Sequence, residues 1–286
     1  MAERIGVIGA GAWGTALAKV LAECGHEVTL WCLEAEVAAG IRERRENARY
    51  LPGVILPDAV RPETDPLAAA TGKSVIVLAV PSPYLMGIVR RILSASNLMD
   101  GESLVVVVTK GFMADERGPR LILETLEERL PGIYRDKTVY LSGPSHAEEV
   151  SRGRITGLAA ASGNGRNAIR VRELFRGSRV LVFPSLDTTG VQVCAAAKNV
   201  VAIAFGMLDA LASTSASPSS EFGDNTESLL LAAGLNEMQA LGTALGATHP
   251  ETFTSIAGVG DLDVTCRSIH GRNRRFGREI VEKGIL

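Results

Sequence analysis

Lys198 is the only charged residue between Asp187 and Asp209, within an alanine-rich run that predicts a helix apolar on nearly every side. Because burial destabilises an ammonium, we expect the pKa of Lys198 to fall toward the range that suits proton transfer. Two structural roles stay open at this point: the amine could reach a helix end, or it could pair with a buried carboxylate. Gln192, Lys198 and Asn199 interrupt the run, which argues against a membrane span.

A glycine-rich turn lies near the N-terminus, in the segment Gly9-Ala-Gly11-Ala-Trp-Gly14. The first glycine permits a tight turn, the second lets the backbone approach a pyrophosphate, and the third lets helix and strand pack closely. A predicted strand precedes the turn, and a helix and a second strand follow within about 30 residues, which is the order of a dinucleotide-binding unit. The N-terminus of that helix would face the phosphate charge.

Glu34 follows the second predicted strand, at the distance from Gly14 where an acid would hydrogen-bond the ribose hydroxyls of NAD. The stretch Cys32-Leu33-Glu34 contains no arginine or histidine that would accept a 2′-phosphate, which favours NAD over NADP. The alternative is that Glu34 is a solvated loop carboxylate.

Two polar segments follow further predicted strands. Lys110 comes directly after the strand that ends at Thr109, and Gly143, Ser145 and His146 follow another strand. Ligands of open α/β sheets bind outside the carboxyl ends of strands, so these residues could supply an ammonium, backbone amides and a hydroxyl to one site. A lysine at a strand end is often only solvated, and a loop histidine without a nearby carboxylate is often incidental.

A third polar group comprises Asp261, in a glycine-rich stretch, and the run Gly271-Arg272-Asn273. Arg272 offers a planar fork for phosphate oxygens, and Asn273 offers an amide donor beside it. The run could instead be the solvated start of a helix, and Asp261 an ordinary turn residue. None of these residues is specific alone, whereas their combination with the glycine-rich turn and a buried lysine is.

The elements that must position these residues form two series. Up to about Pro184, short apolar runs alternate with helical segments and fit parallel strands covered on both faces. The predicted strands are 4–8, 26–31, 74–80, 104–109, 137–141 and 156–161, and the predicted helices are 12–24, 84–93 and 120–129. Helices alone are predicted beyond, over 189–208, 227–241 and from 272 onward. We therefore expect an N-terminal Rossmann-type, doubly wound parallel sheet (residues 1–186) and an all-α C-terminal domain (residues 187–286).

Composition narrows the function classes. The formal net charge of −2 gives no electrostatic reason to expect nucleic acid or an anionic membrane as a partner. Four cysteines are scattered without a CxxC pair or nearby histidines, so we expect reduced thiols and neither a metal site nor disulfides. No signal peptide is visible at the N-terminus, and we expect a cytoplasmic protein. The segment 213–220 is serine-rich and predicts a surface loop or a linker.

With these residues, the chain resembles the bacterial-type NAD(P)-dependent glycerol-3-phosphate dehydrogenases over essentially its whole length. The matching segments occur in family order in both predicted domains. They are GAGAWGTAL (9–17), TKG (109–111), LSGPSHA (141–147), AKNV (197–200), GVGDLDVTC (258–266) and GRN (271–273).

The resemblance implies reversible oxidation of sn-glycerol 3-phosphate to dihydroxyacetone phosphate with NAD or NADP, a supply step for phospholipid backbones. Lys198 would be the proton acceptor, and Lys110 would contact cofactor and substrate. The other implied substrate residues are Gly143, Ser145, Asp261, Gly271, Arg272 and Asn273. The other implied cofactor residues are Ala12, Trp13 and Ala147, with Arg272 also approaching the cofactor. They join Gly9, Gly11, Gly14 and Glu34, which the glycine-rich turn and the second strand already assign to the cofactor. We expect a small phosphorylated substrate as partner and a homodimer as the assembly.

The chain departs from the family pattern at several places. The family usually has an aromatic residue at His146, often a serine at Gly271, and in many bacterial members an arginine or histidine at Leu33. The segment 213–220 lengthens a part that is usually short. The family also continues past Leu286 with further helices, so the resemblance implies a truncated member. Two alternatives therefore stand beside the dehydrogenase: a related 3-hydroxyacid dehydrogenase, or an inactive cofactor-binding module.

Overall fold

Eight strands, most of them short runs of aliphatic residues, lie in the first of two units into which the chain divides, Met1–Thr188 and Thr189–Leu286. The structure, a computed structural model, describes residues 2–116, 118–214, 222–268 and 271–285. The strands are β1 (Arg4–Ile8), β2 (Glu27–Trp31), β3 (Val60–Glu63), β4 (Val75–Leu78), β5 (Leu104–Val107), β6 (Val139–Ser142), β7 (Thr156–Ala161) and β8 (Val180–Ser185). They form one sheet in the order β3-β2-β1-β4-β5-β6-β7-β8.

The sheet is mostly parallel, which confirms the Rossmann-type prediction for this unit. The expectation that residues 156–161 run parallel to their neighbours is wrong on one side, because β7 pairs antiparallel with β6 through Leu141 and Ala160. On its other side β7 is parallel to β8. A strand that is buried on both faces shows the same continuous apolar run whichever way it points, so the pattern could not reveal the reversal.

Helices cover both faces of the sheet. They are α1 (Ala12–Glu23), α2 (Ala35–Arg44), α3 (Pro66–Ala70), α4 (Ser82–Ile92), α5 (Ser96–Met99), α6 (Ile122–Glu127), α7 (Ala147–Ser151) and α8 (Gly165–Leu174). Apolar residues of α1, α2, α7 and α8 form a continuous core with one face of the strands, in which Leu17 and Val171 are fully buried. The sequence analysis did not predict β3, whose sequence is VRPE, because an edge strand with a proline and two charged residues has no apolar run.

The second unit is helical throughout its described residues. Its helices are α9 (Thr188–Thr214), α10 (Asp224–Ala244), α11 (Glu251–Thr254), α12 (Asp261–Arg267) and α13 (Arg272–Glu282). The predicted all-α second domain is thereby confirmed. Most of the predicted serine-rich segment 213–220 lies outside the described residues.

The helix α9 is long and apolar enough to cross a membrane by length and composition, with a mean hydropathy of 1.7 over its most apolar window. About three fifths of that window (61%) is buried inside the protein, and Val193, Ala195 and Ala202 are fully buried. Burial of this extent is the property of a core helix in a globular unit.

Helices α9 and α13 cross with their backbones in direct contact. A Cβ atom on Gly206 would lie 1.8 Å from the Arg274 carbonyl oxygen, and one on Gly277 would lie 1.9 Å from that of Ile203. Beside this crossing, the Arg274 guanidinium donates to both carboxylate oxygens of Asp209, with N–O distances of 2.5 and 2.8 Å. The first turn of α13 is therefore fixed with respect to α9.

Candidate functional site

The glycine-rich turn connects β1 to α1 in the first unit and leaves space above the start of the helix. Gly9 has φ +127°, and a Cβ there would lie 2.6 Å from the Ala79 carbonyl oxygen. A Cβ on Gly14 would lie 1.9 Å from the Gly9 carbonyl oxygen, whereas one on Gly11 would meet nothing within 4 Å. No side chain caps α1 at Gly11, so the first amides of the helix have no side-chain acceptor. Trp13 packs against the core at the start of α1.

This turn fits a dinucleotide. Two of its glycines are required by the close approach of the backbone to itself, and the third faces open space where a side chain would fill the cradle. The uncapped N-terminus of α1 offers backbone donors and a positive dipole end to a pyrophosphate.

Glu34 lies at the start of α2, and its carboxylate has protein partners. The Tyr50 hydroxyl donates to Glu34 Oε1 at 2.5 Å, and the Arg49 guanidinium lies 3.9 Å from the same oxygen. This hydrogen bond raises the pKa of the Tyr50 hydroxyl, because it favours the protonated phenol. Arg49 also lies over the Tyr50 ring and pairs with Glu36 at 2.8 Å. The sequence analysis did not select Tyr50, because its contact with Glu34 depends on how the chain folds between the two residues.

Lys110 and the loop after β6 come together at the edge where parallel strands end. Lys110 Nζ donates to the Gly143 carbonyl oxygen at 3.0 Å and to Ser145 Oγ at 3.3 Å. Gly143 has φ +143°, and a Cβ there would lie 2.9 Å from the Gly157 carbonyl oxygen. The predicted group of an ammonium, a hydroxyl and loop backbone is thus assembled in this unit.

His146 and Ala147 complete this loop. His146 is the residue before α7, its Nε2 atom is buried, and no described residue hydrogen-bonds that atom. Ala147 begins α7 and is buried in the core of the unit.

In the second unit Lys198 lies in the middle of α9, 4% exposed, against the start of α12. Its Nζ atom donates to Asp261 Oδ1 and, at 3.0 Å, to Thr265 Oγ1. Asp261 is 1% exposed. The carboxylate stabilises the ammonium form, which opposes the effect of burial. Of the structural roles left open for this lysine, pairing with a buried carboxylate is the one observed.

Thr265 is a member of this group that sequence reasoning did not select. It lies four residues after Asp261 in α12, hence on the same helix face, and its hydroxyl donates to the Asp261 carbonyl oxygen at 2.6 Å. The hydroxyl oxygen is thereby turned to accept from Lys198. The i, i+4 spacing of a carboxylate and a hydroxyl was the signal available in the sequence.

The start of α13 presents Arg272 and Asn273. Arg272 is exposed and makes no hydrogen bond or ion pair with any residue that the structure describes. The later arginines of this helix are all paired, Arg274 with Asp209, Arg275 with Glu279 and Arg278 with Glu282. Gly271 precedes α13 without a side-chain cap. An unpaired guanidinium at an uncapped helix start suits a phosphate.

Asn273 is held in place by α9. Its Nδ2 atom donates to Asn199 Oδ1 at 2.8 Å, and Asn199 is the neighbour of Lys198 in sequence. The residues predicted to act on the substrate in this unit, Lys198, Asp261, Arg272 and Asn273, therefore stand on three mutually packed helices. Among the described residues, no group of histidine, cysteine and carboxylate side chains has the arrangement of a metal site.

Two family models match this chain, one in each of its two units. A family model described as NAD-dependent glycerol-3-phosphate dehydrogenase N-terminus matches residues 4–168, and its C-terminal counterpart matches residues 187–286. The chain is similar to the glycerol-3-phosphate dehydrogenases [NAD(P)+] of Treponema pallidum (54% identity over 99% of this chain and 81% of the relative) and Treponema denticola (55% identity over 100% and 81%). A crystal structure of glycerol-3-phosphate dehydrogenase from Coxiella burnetii superposes with a TM-score of 0.85 and 32% identity, over 98% of this chain and 81% of that one.

Proposed function

The chain belongs to the NAD-dependent glycerol-3-phosphate dehydrogenase family, and from this we propose that it catalyses the reversible NAD(P)-dependent oxidation of sn-glycerol 3-phosphate to dihydroxyacetone phosphate. The observation that carries the proposal is the buried ammonium of Lys198 held by Asp261 and Thr265. A carbonyl reduction needs such a proton donor, positioned before the reaction and shielded from bulk water.

We assign residues 1–186 to cofactor binding and residues 187–286 to the substrate. In the first domain, Gly9, Gly11 and Gly14 would hold the pyrophosphate, with Ala12, Trp13 and Ala147 lining the cofactor. Lys110, Gly143 and Ser145 would present donors at the carboxyl edge of the sheet. When bound, the nicotinamide supplies or accepts the hydride.

Lys198 acts as general acid in reduction and as general base in oxidation. In reduction, negative charge develops on the carbonyl oxygen of the substrate. The Lys198 Nζ donates a proton to this oxygen, and the product is the secondary alcohol. The Asp261 carboxylate keeps the amine protonated beforehand, and Thr265 accepts from a second of its three N–H donors, which sets the orientation of the ammonium. The amine then regains its proton from solvent.

Arg272 and Asn273, with the backbone at Gly271, bind the substrate phosphate. A phosphate held away from the reacting carbon supplies binding energy for orientation without taking part in the chemistry. Asn273 already has a fixed partner in Asn199, so its amide is oriented in advance. Arg272 has no described partner to give up.

Glu34 favours NAD, because a carboxylate hydrogen-bonds ribose hydroxyls and repels a 2′-phosphate. We further propose that the enzyme is a cytoplasmic homodimer that supplies glycerol phosphate for phospholipid synthesis. Light scattering on the purified protein would test the assembly, since a dimer has twice the 30.2 kDa mass of the chain. A monomer mass would contradict that part.

The deciding experiment is dihydroxyacetone phosphate reduction by the full chain, followed by cofactor absorbance with NADH and NADPH in parallel. We expect turnover with a higher kcat/KM for NADH. Faster turnover of a phosphate-free 3-hydroxy acid than of glycerol 3-phosphate would overturn the substrate assignment. Binding of NADH with no turnover of either substrate would identify a cofactor-binding module instead.

A further inference from the structure

Asn47 is a buried asparagine in the connection between α2 and β3, and its side chain contacts the glycine-rich turn. The residue is 1% exposed. Its Nδ2 atom donates to the Ala10 carbonyl oxygen and to Thr15 Oγ1, each at 2.8 Å. Ala10 lies inside the turn, between Gly9 and Gly11, and Thr15 follows Gly14.

Thr15 is itself fully buried and bonded to the same carbonyl. Its hydroxyl donates to the Ala10 oxygen at 3.3 Å while it accepts from Asn47. The two side chains and one carbonyl therefore form a closed triangle of hydrogen bonds. Because buried polar groups without partners are costly, this triangle resists any rotation of the Ala10 peptide.

The other end of the Asn47 carboxamide faces the residues around Glu34. Asn47 Oδ1 accepts from the Tyr50 amide at 3.2 Å, and the Asn47 carbonyl oxygen accepts from the Leu51 amide at 2.9 Å. These bonds hold the turn that carries Tyr50, whose hydroxyl donates to Glu34. Both N–H donors of the Asn47 side chain are thus used on the glycine turn, and its oxygen accepts from the Tyr50 turn.

We propose that Asn47 is a positioning residue that couples the two ends of the dinucleotide site, setting the pyrophosphate turn at Ala10 and the ribose-binding carboxylate of Glu34 in one fixed relation. The proposal rests on the cofactor binding proposed above. Asn47 does not touch the cofactor itself in this account. It acts by removing the freedom of both segments before binding, so that less ordering is needed when the dinucleotide arrives.

Asn97 provides a matched control in the same unit. It is also a buried asparagine, 4% exposed, and donates to the carbonyl oxygens of Ala70 and Lys73 and to Ser103 Oγ. Lys73 and Ser103 lie just before β4 and β5, at the sheet edge opposite the one where β1 ends and the glycine turn begins. Loss of Asn97 should therefore lower stability without changing either end of the cofactor site.

The test is the dissociation constant of NADH, measured by nicotinamide fluorescence on the full chain, together with the melting temperature. We expect Asn47→Ala to weaken NADH binding about tenfold, the effect of about one lost hydrogen bond, and Asn97→Ala to leave it within twofold at a comparable loss of melting temperature. Equal weakening in both variants, or none in Asn47→Ala, would overturn the coupling role. If the unaltered chain bound neither NADH nor NADPH, the proposed function itself would fail, which is a separate outcome.

A second pair of variants covers the case in which Asn47→Ala does not fold. Thr15→Val keeps the shape of the side chain and removes the hydroxyl that Asn47 contacts, whereas Thr15→Ser keeps the hydroxyl. We expect a several-fold weaker NADH affinity for the valine variant and a near-normal one for the serine variant. Equal affinities in the two variants would contradict the proposal.

Discussion

A lysine that is almost fully buried has to be explained by its partners, and Lys198 has a carboxylate and a hydroxyl. Removing one partner of a buried ion pair leaves an uncompensated charge, which costs about 3–5 kcal/mol. A single substitution at Lys198 therefore mixes a loss of stability with a loss of chemistry. The two effects have to be separated by restoring neutrality.

We predict that Lys198→Met lowers turnover by roughly two to four orders of magnitude, because the proton donor is lost, while NADH binding is retained. The double variant Lys198→Met/Asp261→Asn should regain most of the lost melting temperature, since no buried charge remains, and should stay inactive. Steady-state rates and thermal melts measure both quantities. Near-normal turnover in either variant would exclude Lys198 as the acid–base group.

For Arg272→Ala we predict a rise of roughly tenfold to a hundredfold in the KM for dihydroxyacetone phosphate, the loss of a charge-assisted contact to phosphate. Arg275→Ala is the control, because Arg275 is exposed on the same helix and pairs only loosely with Glu279, at 3.9 Å. An unchanged KM in Arg272→Ala, or the same rise in the control, would count against a phosphate site at the start of α13.

Among the helices and strands, the sequence predicted the features that depend on local residue patterns. It did not predict features that depend on contacts between distant segments. The glycine turn, six of the eight strands and the helix around Lys198 were predicted, since each has its own spacing and composition. The reversal of β7 was not, because a strand buried on both faces reads alike in either direction. The partners of Lys198 and Glu34 come from segments far along the chain, so Thr265 and Tyr50 were missed.

The crossing of α9 and α13 leads to a prediction at this scale. Gly277→Ala places a methyl group where the Ile203 carbonyl oxygen lies, so the helices must separate, at a cost of about 1–3 kcal/mol. The start of α13 moves with them, and we expect a higher KM for the phosphorylated substrate with unchanged NADH affinity. Melting temperature and KM are the measurements.

Gly87→Ala serves as the matched control for this crossing. Gly87 lies inside helix α4, and a Cβ there meets nothing within 4 Å. Because alanine favours a helix over glycine by roughly 1 kcal/mol, this variant should be as stable as the parent or more so. A destabilised Gly87→Ala together with an unaffected Gly277→Ala would refute the account of the crossing.

Across the whole chain, each unit contains buried thiols whose labelling reports on its opening: Cys32 in the first, and Cys194 and Cys266 in the second. Burial raises the pKa of Cys32 in the first unit and of Cys266 in the second to about 12. Both are fully buried, whereas Cys24 is only partly so. A folded thiol with such a pKa stays protonated and unreactive at neutral pH, so labelling requires the unit to open.

We therefore predict that a maleimide at pH 7.5 modifies Cys24 first, and Cys32 and Cys266 only at the rate at which their units unfold. NADH should slow labelling at Cys32, because a ligand that binds only the folded unit lowers the population of its open form. Mass spectrometry of peptides after timed quenching gives the three rates. Labelling of Cys32 as fast as that of Cys24 would contradict the burial seen here.

The Lys198–Asp261 pair also bears on how the amine would regain its proton in the mechanism proposed above. Together the two side chains carry no net charge, whereas an amine that has handed its proton to a product leaves a lone carboxylate in a place almost closed to water. That state is high in free energy, so proton uptake from solvent runs downhill after each reduction. In the proposed mechanism, the same two side chains that would make the proton donor would therefore also favour its reprotonation.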